Sequence, residues 1–299
     1  MEGKRYLIVT ADDYGIGPAT SQGILDLAAG GKVTAAVLLV TSPHAEEAVR
    51  AWRRAGQPME LGWHPCLTLD RPVLPAKRVP TLVGPDGCFW RLGRFVSRLL
   101  RGRIRSIEIE AELRAQYHLF RNLTGAFPSV VNSHHHVQVF PPVGTILYQL
   151  FDRYFPAPYM RRVREPWRML ARVPGARAKR LLLTVLGRRD GRRQRRSGLA
   201  GNQWLAGVTD PVCVRNAQFL SRWLARMPGN VVELTCHPGY YDATLIGRDC
   251  TPDDGQLQRR MREMYLLQQP SFVDACQCAG FILTAPRDWL KTRRHAKAA

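Results

Sequence analysis

Four short segments hold the side chains that could do chemistry. Thr10-Ala11-Asp12-Asp13-Tyr14-Gly15 brings two adjacent carboxylates, Gly62-Trp63-His64-Pro65 one imidazole, Asn132-Ser133-His134-His135-His136 three, and Cys236-His237-Pro238-Gly239-Tyr240 another. Singly, each has an ordinary reading: an Asp pair caps helices and turns, and a His before Pro sits in a hydrogen-bonded turn. Together they supply imidazoles and a carboxylate with positions left for water, the donor set of a hydrolytic transition metal. Adjacent aspartates point in different directions, so one of Asp12 and Asp13 can bind a cation while the other faces the water beside it. In a strand, alternation sets His134 and His136 on one face and His135 on the other. One of that pair suffices as a ligand, and the other would orient substrate or support the site from behind. The chemistry that follows is hydrolysis of an acyl bond. A cation polarises the acyl oxygen and acidifies water, a carboxylate, here Asp12, takes the proton, and the oxyanion leans on the cation. His237, from a distant segment, would protonate the leaving amine.

These segments need a scaffold that brings them together. Apolar β-branched runs alternate with segments of helical period. Strands are expected at Tyr6–Ala11, Val33–Val40, Glu60–His64, Ser129–His136, Ala157–Val163, Asn230–Cys236 and Gly280–Thr284. Helices are expected at Gly17–Ala29, from Ser42-Pro43 to Arg54, and over Ser106–Leu123, Val143–Arg153 and Pro211–Arg226, with Ser42 and Asp210 as N-caps. Gly198–Val208 is left unassigned. Strands buried on both faces and separated by helices predict a mostly parallel sheet. The segment after the first strand lacks a G-x-G-x-x-G, which argues against dinucleotide binding. The polar clusters all fall at C-terminal ends of expected strands, where a β/α barrel carries its active site.

The chain has 299 residues, is 45% hydrophobic and contains no apolar run long enough to span a membrane. The first apolar run is too short for a signal-peptide core, so a cytoplasmic protein is expected. Seven cysteines without a C-x-x-C pair fit a reducing compartment, with the cysteines as small core residues. The net charge is +20, and it is uneven. Fourteen basic residues between Arg161 and Arg196 face only Glu165 and Asp190, and a second cluster runs from Arg91 to Arg105. Such a field attracts polyanions, either nucleic acid or an anionic membrane surface. The stretch Phe89–Leu100, with Trp90, Phe95, Leu99 and Leu100 among arginines, would lie on a membrane or pack as a plain amphipathic helix on the barrel.

The four motifs, in this order and spacing, resemble the YdjC-like carbohydrate deacetylase family, which includes chito-oligosaccharide deacetylases. The likeness runs from Lys4 to about Trp289 and covers 161–196 poorly. It implies a distorted (β/α) barrel of the polysaccharide-deacetylase type, one domain over residues 1–299 with a basic insertion around 161–197. It implies removal of an N-acetyl group from an amino sugar with one divalent metal ion, Mg2+ or Zn2+. Carried onto this sequence, the metal ligands are Asp13, His64 and His134, the general base is Asp12 and the conjugate acid is His237. His136, Trp63, Tyr14 and Tyr240 are expected at the substrate. Asn132, Gln138 and the Trp63, Pro65 and Cys66 of the second motif depart from the family pattern, which leaves the ligands intact and bears on the substrate pocket. The segments Asp70–Pro75 and Val79–Leu82 are similar to a branch associated with hopanoid lipid biosynthesis, which implies a lipid-carried amino sugar and a place at the inner membrane face. A homodimer is expected and nucleic acid is not. Two other readings compete: a metal-dependent phosphoesterase on the same barrel, and a basic nucleic-acid-binding protein, for which the chain shows no recognition motif.

Overall fold

The structure, a computed structural model, describes residues 4–298. Its strands are β1 (Arg5–Tyr14), β2 (Ala35–Leu38), β3 (Glu60–Trp63), β4 (Val130–Val131), β5 (Tyr159–Met160), β6 (Trp204–Ala206), β7 (Val231–Cys236) and β8 (Phe281–Leu283). Its helices are α1 (Pro18–Ala29), α2 (Ala45–Arg54), α3 (Leu92–Leu100), α4 (Ser106–Thr124), α5 (Pro141–Arg153), α6 (Trp167–Arg172), α7 (Arg177–Arg196), α8 (Phe219–Leu224), α9 (Gln256–Gln268), α10 (Pro270–Cys278) and α11 (Pro286–Ala298). The strand pairings are parallel, in the order β5-β4-β3-β2-β1-β7-β6, with β8 against the first residues of β1. Between β5 and β6 the seam is closed by other means. Met160 N donates to Ala200 O at 2.8 Å and Leu205 N to Arg164 O at 2.9 Å. Between these rungs the Asn202 carboxamide accepts from Arg162 N at 2.7 Å and donates to Arg162 O at 2.9 Å, in place of a strand backbone. The result is the distorted barrel that the sequence predicts.

Strand alternation gives this barrel two surfaces. Leu7, Val9 and Ala11 of β1, with Val232, Leu234 and Cys236 of β7, face outward beneath the helices. Ile8, Val37, Val130, Tyr159 and Val231 fill the N-terminal half of the interior, which Trp289 of α11 closes. Above them the inward positions turn polar: Thr10 and Asp12 on β1, Glu233 and Thr235 on β7, all buried. The apolar plug is what holds the polar layer away from solvent on the far side. At Gly62 on β3 an added Cβ would lie 2.1 Å from Val130 O, so β3 and β4 meet this closely only through glycine.

Several expectations are corrected. β4 stops at Val131, and residues 134–139 form a 3-10 turn in which His135 (φ 54°) and His136 (φ 56°) are left-handed. Strand alternation therefore does not set the facing of the His triplet. Ser42 does not cap α2: its turn runs on to His44, and the helix starts at Ala45. Asp210 does cap a turn, accepting from Val212 N and Cys213 N, but the turn is a short 3-10 one, and helix resumes only at Phe219. The unassigned Gly198–Val208 contains β6. In the Phe89–Leu100 stretch, Phe95 is buried in α3, and Leu92, Val96 and Leu99 pack against the core. Most of the apolar face of that helix is thus used in packing, as the amphipathic-helix reading has it, while Leu100 at its end is exposed. No helix among the described residues is long and apolar enough to cross a membrane.

Part of the arginine-rich segment faces inward. Arg161, Arg162 and Arg180 are buried. So are its two acids. The Glu165 carboxylate receives Arg180 at 2.6 Å, and Asp190 accepts from Tyr148 Oη at 2.6 Å and from Gln194 Nε2 at 3.1 Å. Burial pushes the Asp190 carboxyl up to about 6. An unfolded aspartate titrates near about 3.9, so the folded chain holds this proton across the interval. The contribution is full below the unfolded value and is lost as pH rises through the folded one. In Asp190→Asn, which keeps an acceptor for Tyr148, we expect stability to gain on wild type as pH rises from 4 to 7. Urea midpoints across that range check this; identical pH profiles would contradict it.

Candidate active site

At the C-terminal ends of the strands lies a cavity of about 410 Å3 bordered by Asp12, Asp13, His64, His134, His136 and His237. Adjacent aspartates both reach it because the β1–β2 register shifts between Ala11 and Tyr14 and Asp13 is left-handed, with φ 62°. Asp12 keeps the inward position of the strand, and the bulge turns Asp13 towards the imidazoles.

Asp13 Oδ1 lies 2.9 Å from His134 Nδ1 and 3.3 Å from His64 Nε2. His64 Nδ1 sits 2.8 Å from the Asn132 carbonyl, to which it can only donate. With Nδ1 donating there, it is Nε2 that is turned towards Asp13. His134 Nε2 is buried and without a partner among the described residues. One ligand atom from each of Asp13, His64 and His134 lies within 4.8 Å of the other two, all three residues being buried. Two imidazoles, a carboxylate and an orphaned ring nitrogen fit a divalent transition metal. His134, His135 and Asp249 form a second such group at the rim. Arg260 donates to both Asp13 Oδ2 (2.7 Å) and Asp249 Oδ2 (3.0 Å), which leaves Oδ1 as the Asp13 oxygen facing the histidines. Burial pushes the Asp13 carboxyl up, but Arg260 and His134 outweigh it and hold the group well below the usual range.

Asp12 is gripped differently. Arg161 donates from Nη1 to Oδ2 at 2.6 Å and from Nη2 to Oδ1 at 2.8 Å, and Thr235 Oγ1 adds a bond to Oδ2 at 3.0 Å. The same guanidinium donates from Nε to Glu233 Oε1 at 2.7 Å. Burial raises the Asp12 carboxyl, and the Arg161 charge and hydrogen bonds more than reverse that, so Asp12 stays ionised. Burial raises Glu233 as well, and Arg161 offsets this only in part. His237 Nε2 stands 3.9 Å from Asp12 Oδ2. Arg259 Nη2 lies 3.0 Å from His237 Nδ1, which can only accept from it, so the ring hydrogen is on Nε2, facing Asp12. Burial and then Arg259 hold His237 well below its ordinary value, as a neutral ring. His136 borders the cavity, and its buried Nδ1 has no partner among the described residues.

Three expected substrate contacts lie elsewhere. Trp63 follows strand alternation away from His64 and packs in the core against Tyr117 and Phe151, with ring centroids at 5.8 and 6.4 Å. Tyr14 is buried with its hydroxyl donating to Ala48 O at 2.7 Å. Tyr240 is outside the cavity and donates to Asp26 at 2.7 Å. Sequence reasoning missed Arg161, Arg259, Arg260 and Lys179, which is at the cavity rim. Arg161 carried a usable signal, because it follows β5 directly and so occupies the same strand-end position as the other site residues.

The family described as YdjC-like protein matches residues 6–278. A carbohydrate deacetylase of Geobacillus stearothermophilus is 31% identical over 287 residues, 96% of this chain and 99% of that protein. A chitooligosaccharide deacetylase of Klebsiella pneumoniae is 27% identical, covering 95% and 99%. The solved structure of a candidate cellobiose-phosphate cleavage protein from Enterococcus faecalis superimposes with a TM-score of 0.75 at 24% identity, over 96% of this chain and 99% of that one.

Replacing Arg161 with Met should leave Asp12 and Glu233 buried without their cation. We expect a loss of about 3–5 kcal/mol in unfolding free energy at neutral pH. Freed of Arg161, both carboxyls titrate in the folded state above their unfolded values. What stability they give is present at low pH and lost as pH rises, so the deficit should be larger at pH 8 than at pH 5. Denaturant titrations at the two pH values measure it, and a pH-independent deficit would refute the pairing.

Proposed function

The chain belongs to the YdjC-like protein family, and from that premise we propose that it is a divalent-metal-dependent carbohydrate deacetylase that removes the N-acetyl group of an amino sugar. The observation that carries this reading is the division of labour between the two aspartates. Asp13 faces two imidazoles, whereas Asp12 is held ionised by Arg161 beside them. Asp13, His64 and His134 would hold the ion, and a nitrogen-rich set of this kind suits zinc better than magnesium. When bound, the ion supplies Lewis acidity to the acetyl carbonyl and lowers the pKa of water at the site.

The chain's own residues supply the rest. Asp12 takes the proton from the attacking water as its oxygen bonds to the acetyl carbon. Arg161 and Thr235 fix the direction of that carboxylate, so its lone pair need not reorient as charge develops. The proton taken up by Asp12 passes to the amide nitrogen as the carbon–nitrogen bond breaks, while the Nε2–H of neutral His237, 3.9 Å from Asp12 Oδ2, donates a hydrogen bond to the reacting group. Acetate and the free amine leave, and the protons balance. Arg259 keeps His237 in the donating tautomer, and His136 borders the cavity that would take the sugar.

The test is acetate release from N,N′-diacetylchitobiose by the chelated and the metal-reconstituted protein. Activity should require the ion. Asp12→Asn should lower kcat by about 10²–10⁴ with metal content unchanged. Asp13→Ala should instead lose the metal, read by elemental analysis. Turnover of phosphoesters with no acetate release would sink the assignment in favour of a phosphoesterase.

A further inference from the structure

Helix α7 is inside out for a helix that only covers a barrel. Its buried positions include Arg180, Thr184, Gly187, Asp190, Gly191 and Gln194, while Leu181, Leu182 and Val185 are exposed. The inward polar groups are answered by the fold: Arg180 by Glu165, Asp190 by Tyr148, and Gln194 by the Arg161 carbonyl at 2.9 Å. Gly187 lets the helix approach, since a Cβ there would fall 1.6 Å from Val163 O. That inward face cannot rotate outward without stranding these groups. The outward apolar side chains are thus a fixed feature. Leu181, Leu182 and Val185 are 49%, 58% and 41% exposed, and Trp167 on α6 is 48% exposed.

Along the segment from Trp167 to Arg196 the exposed charge has one sign. Positions 181, 182, 185, 189 and 192 fall on one helical stripe, apolar in its first half and Arg189 and Arg192 in its second. Arg168, Arg172 and Arg177 are exposed beside it. Both acids of the segment are buried and paired, so no exposed carboxylate lies between Trp167 and Arg196. The start of α7 also lines the active cavity through Ala176 and Lys179, so this face adjoins the site.

We propose that the outer face of α6 and α7 docks the protein on an anionic lipid bilayer. Trp167, Leu181, Leu182 and Val185 enter the headgroup boundary, and the flanking arginines meet the lipid phosphates. A second copy on a twofold axis would bring arginine against arginine across the contact. A nucleic acid would answer the arginines and leave the apolar stripe in water. An anionic bilayer answers both.

The full chain is sedimented with vesicles of phosphatidylcholine alone or with about 30% phosphatidylglycerol. Wild type should pellet with the anionic vesicles only, and be released by about 0.5 M salt. The triple variant Leu181→Ser, Leu182→Ser, Val185→Ser and the double variant Arg189→Glu, Arg192→Glu should each lower the partition coefficient by about tenfold or more. Both should keep the wild-type circular dichroism and melting temperature, because these side chains point away from the core. Failure of wild type to bind anionic vesicles, equal binding to neutral ones, or undiminished binding by both folded variants would overturn the proposal. So would a dimer in size exclusion that these substitutions dissolve, which would give the face to a second copy.

Discussion

One guanidinium inside the barrel sets the terms for everything around it. Arg161 is fully buried and carries the charge that lets Asp12 and Glu233 stay at the polar end of the interior. Removing charges from water costs several kcal/mol per ion, and only close geometry and full hydrogen bonding recover it. Here the geometry is close: a two-pronged grip on Asp12 and a third bond to Glu233. Its backbone is tied in as well, since Gln194 of α7 donates to the Arg161 carbonyl. The site thus rests on β1, β5 and β7 from within and on α7 from behind. Without the cation the two carboxyls would draw protons, and Asp12 would no longer be a base.

The architecture was largely legible because it follows from burial. Tyr6–Val9 is apolar on both faces and Val231–Cys236 is buried on both, which a helix-covered parallel sheet provides. The strand-end rule then grouped Asp12, Asp13, His64, His134 and His237, and these do border one cavity. What failed was local. The His triplet was read by the period of a strand that ends at Val131, and no propensity in His135 or His136 announces a left-handed turn. Trp63 lies next to inward His64, and alternation itself puts such a neighbour on the far side, whereas Tyr14 is turned into the core by the bulge at Asp13 that no sequence period announces.

Charge was the hardest signal to read. A count of arginines does not say which are inside. Arg161 and Arg180 pair with buried acids, Arg259 and Arg260 come from α9, a helix that sequence reasoning left unassigned, and Arg189 and Arg192 lie in water. The segment from Arg161 to Arg196 combines a structural ion network with an outward basic and apolar face. Its inward polarity and outward leucines only make sense once the barrel wall behind it is known. A similar division holds for Phe89–Leu100, where Phe89 and Phe95 are in the core, Trp90, Leu92, Val96 and Leu99 pack against it, and Leu100 is exposed.

Catalysis as proposed requires Asp13, His64 and His134 to share one cation next to an Asp12 that remains with Arg161. Anomalous diffraction from crystals grown with zinc reads this directly. The expected result is a peak at about 2.0–2.3 Å from Asp13 Oδ1, His64 Nε2 and a His134 ring nitrogen, with Asp12 still bridged to Arg161. A peak coordinated by Asp12 in place of Asp13, or none in this cavity at full zinc occupancy elsewhere, would contradict it.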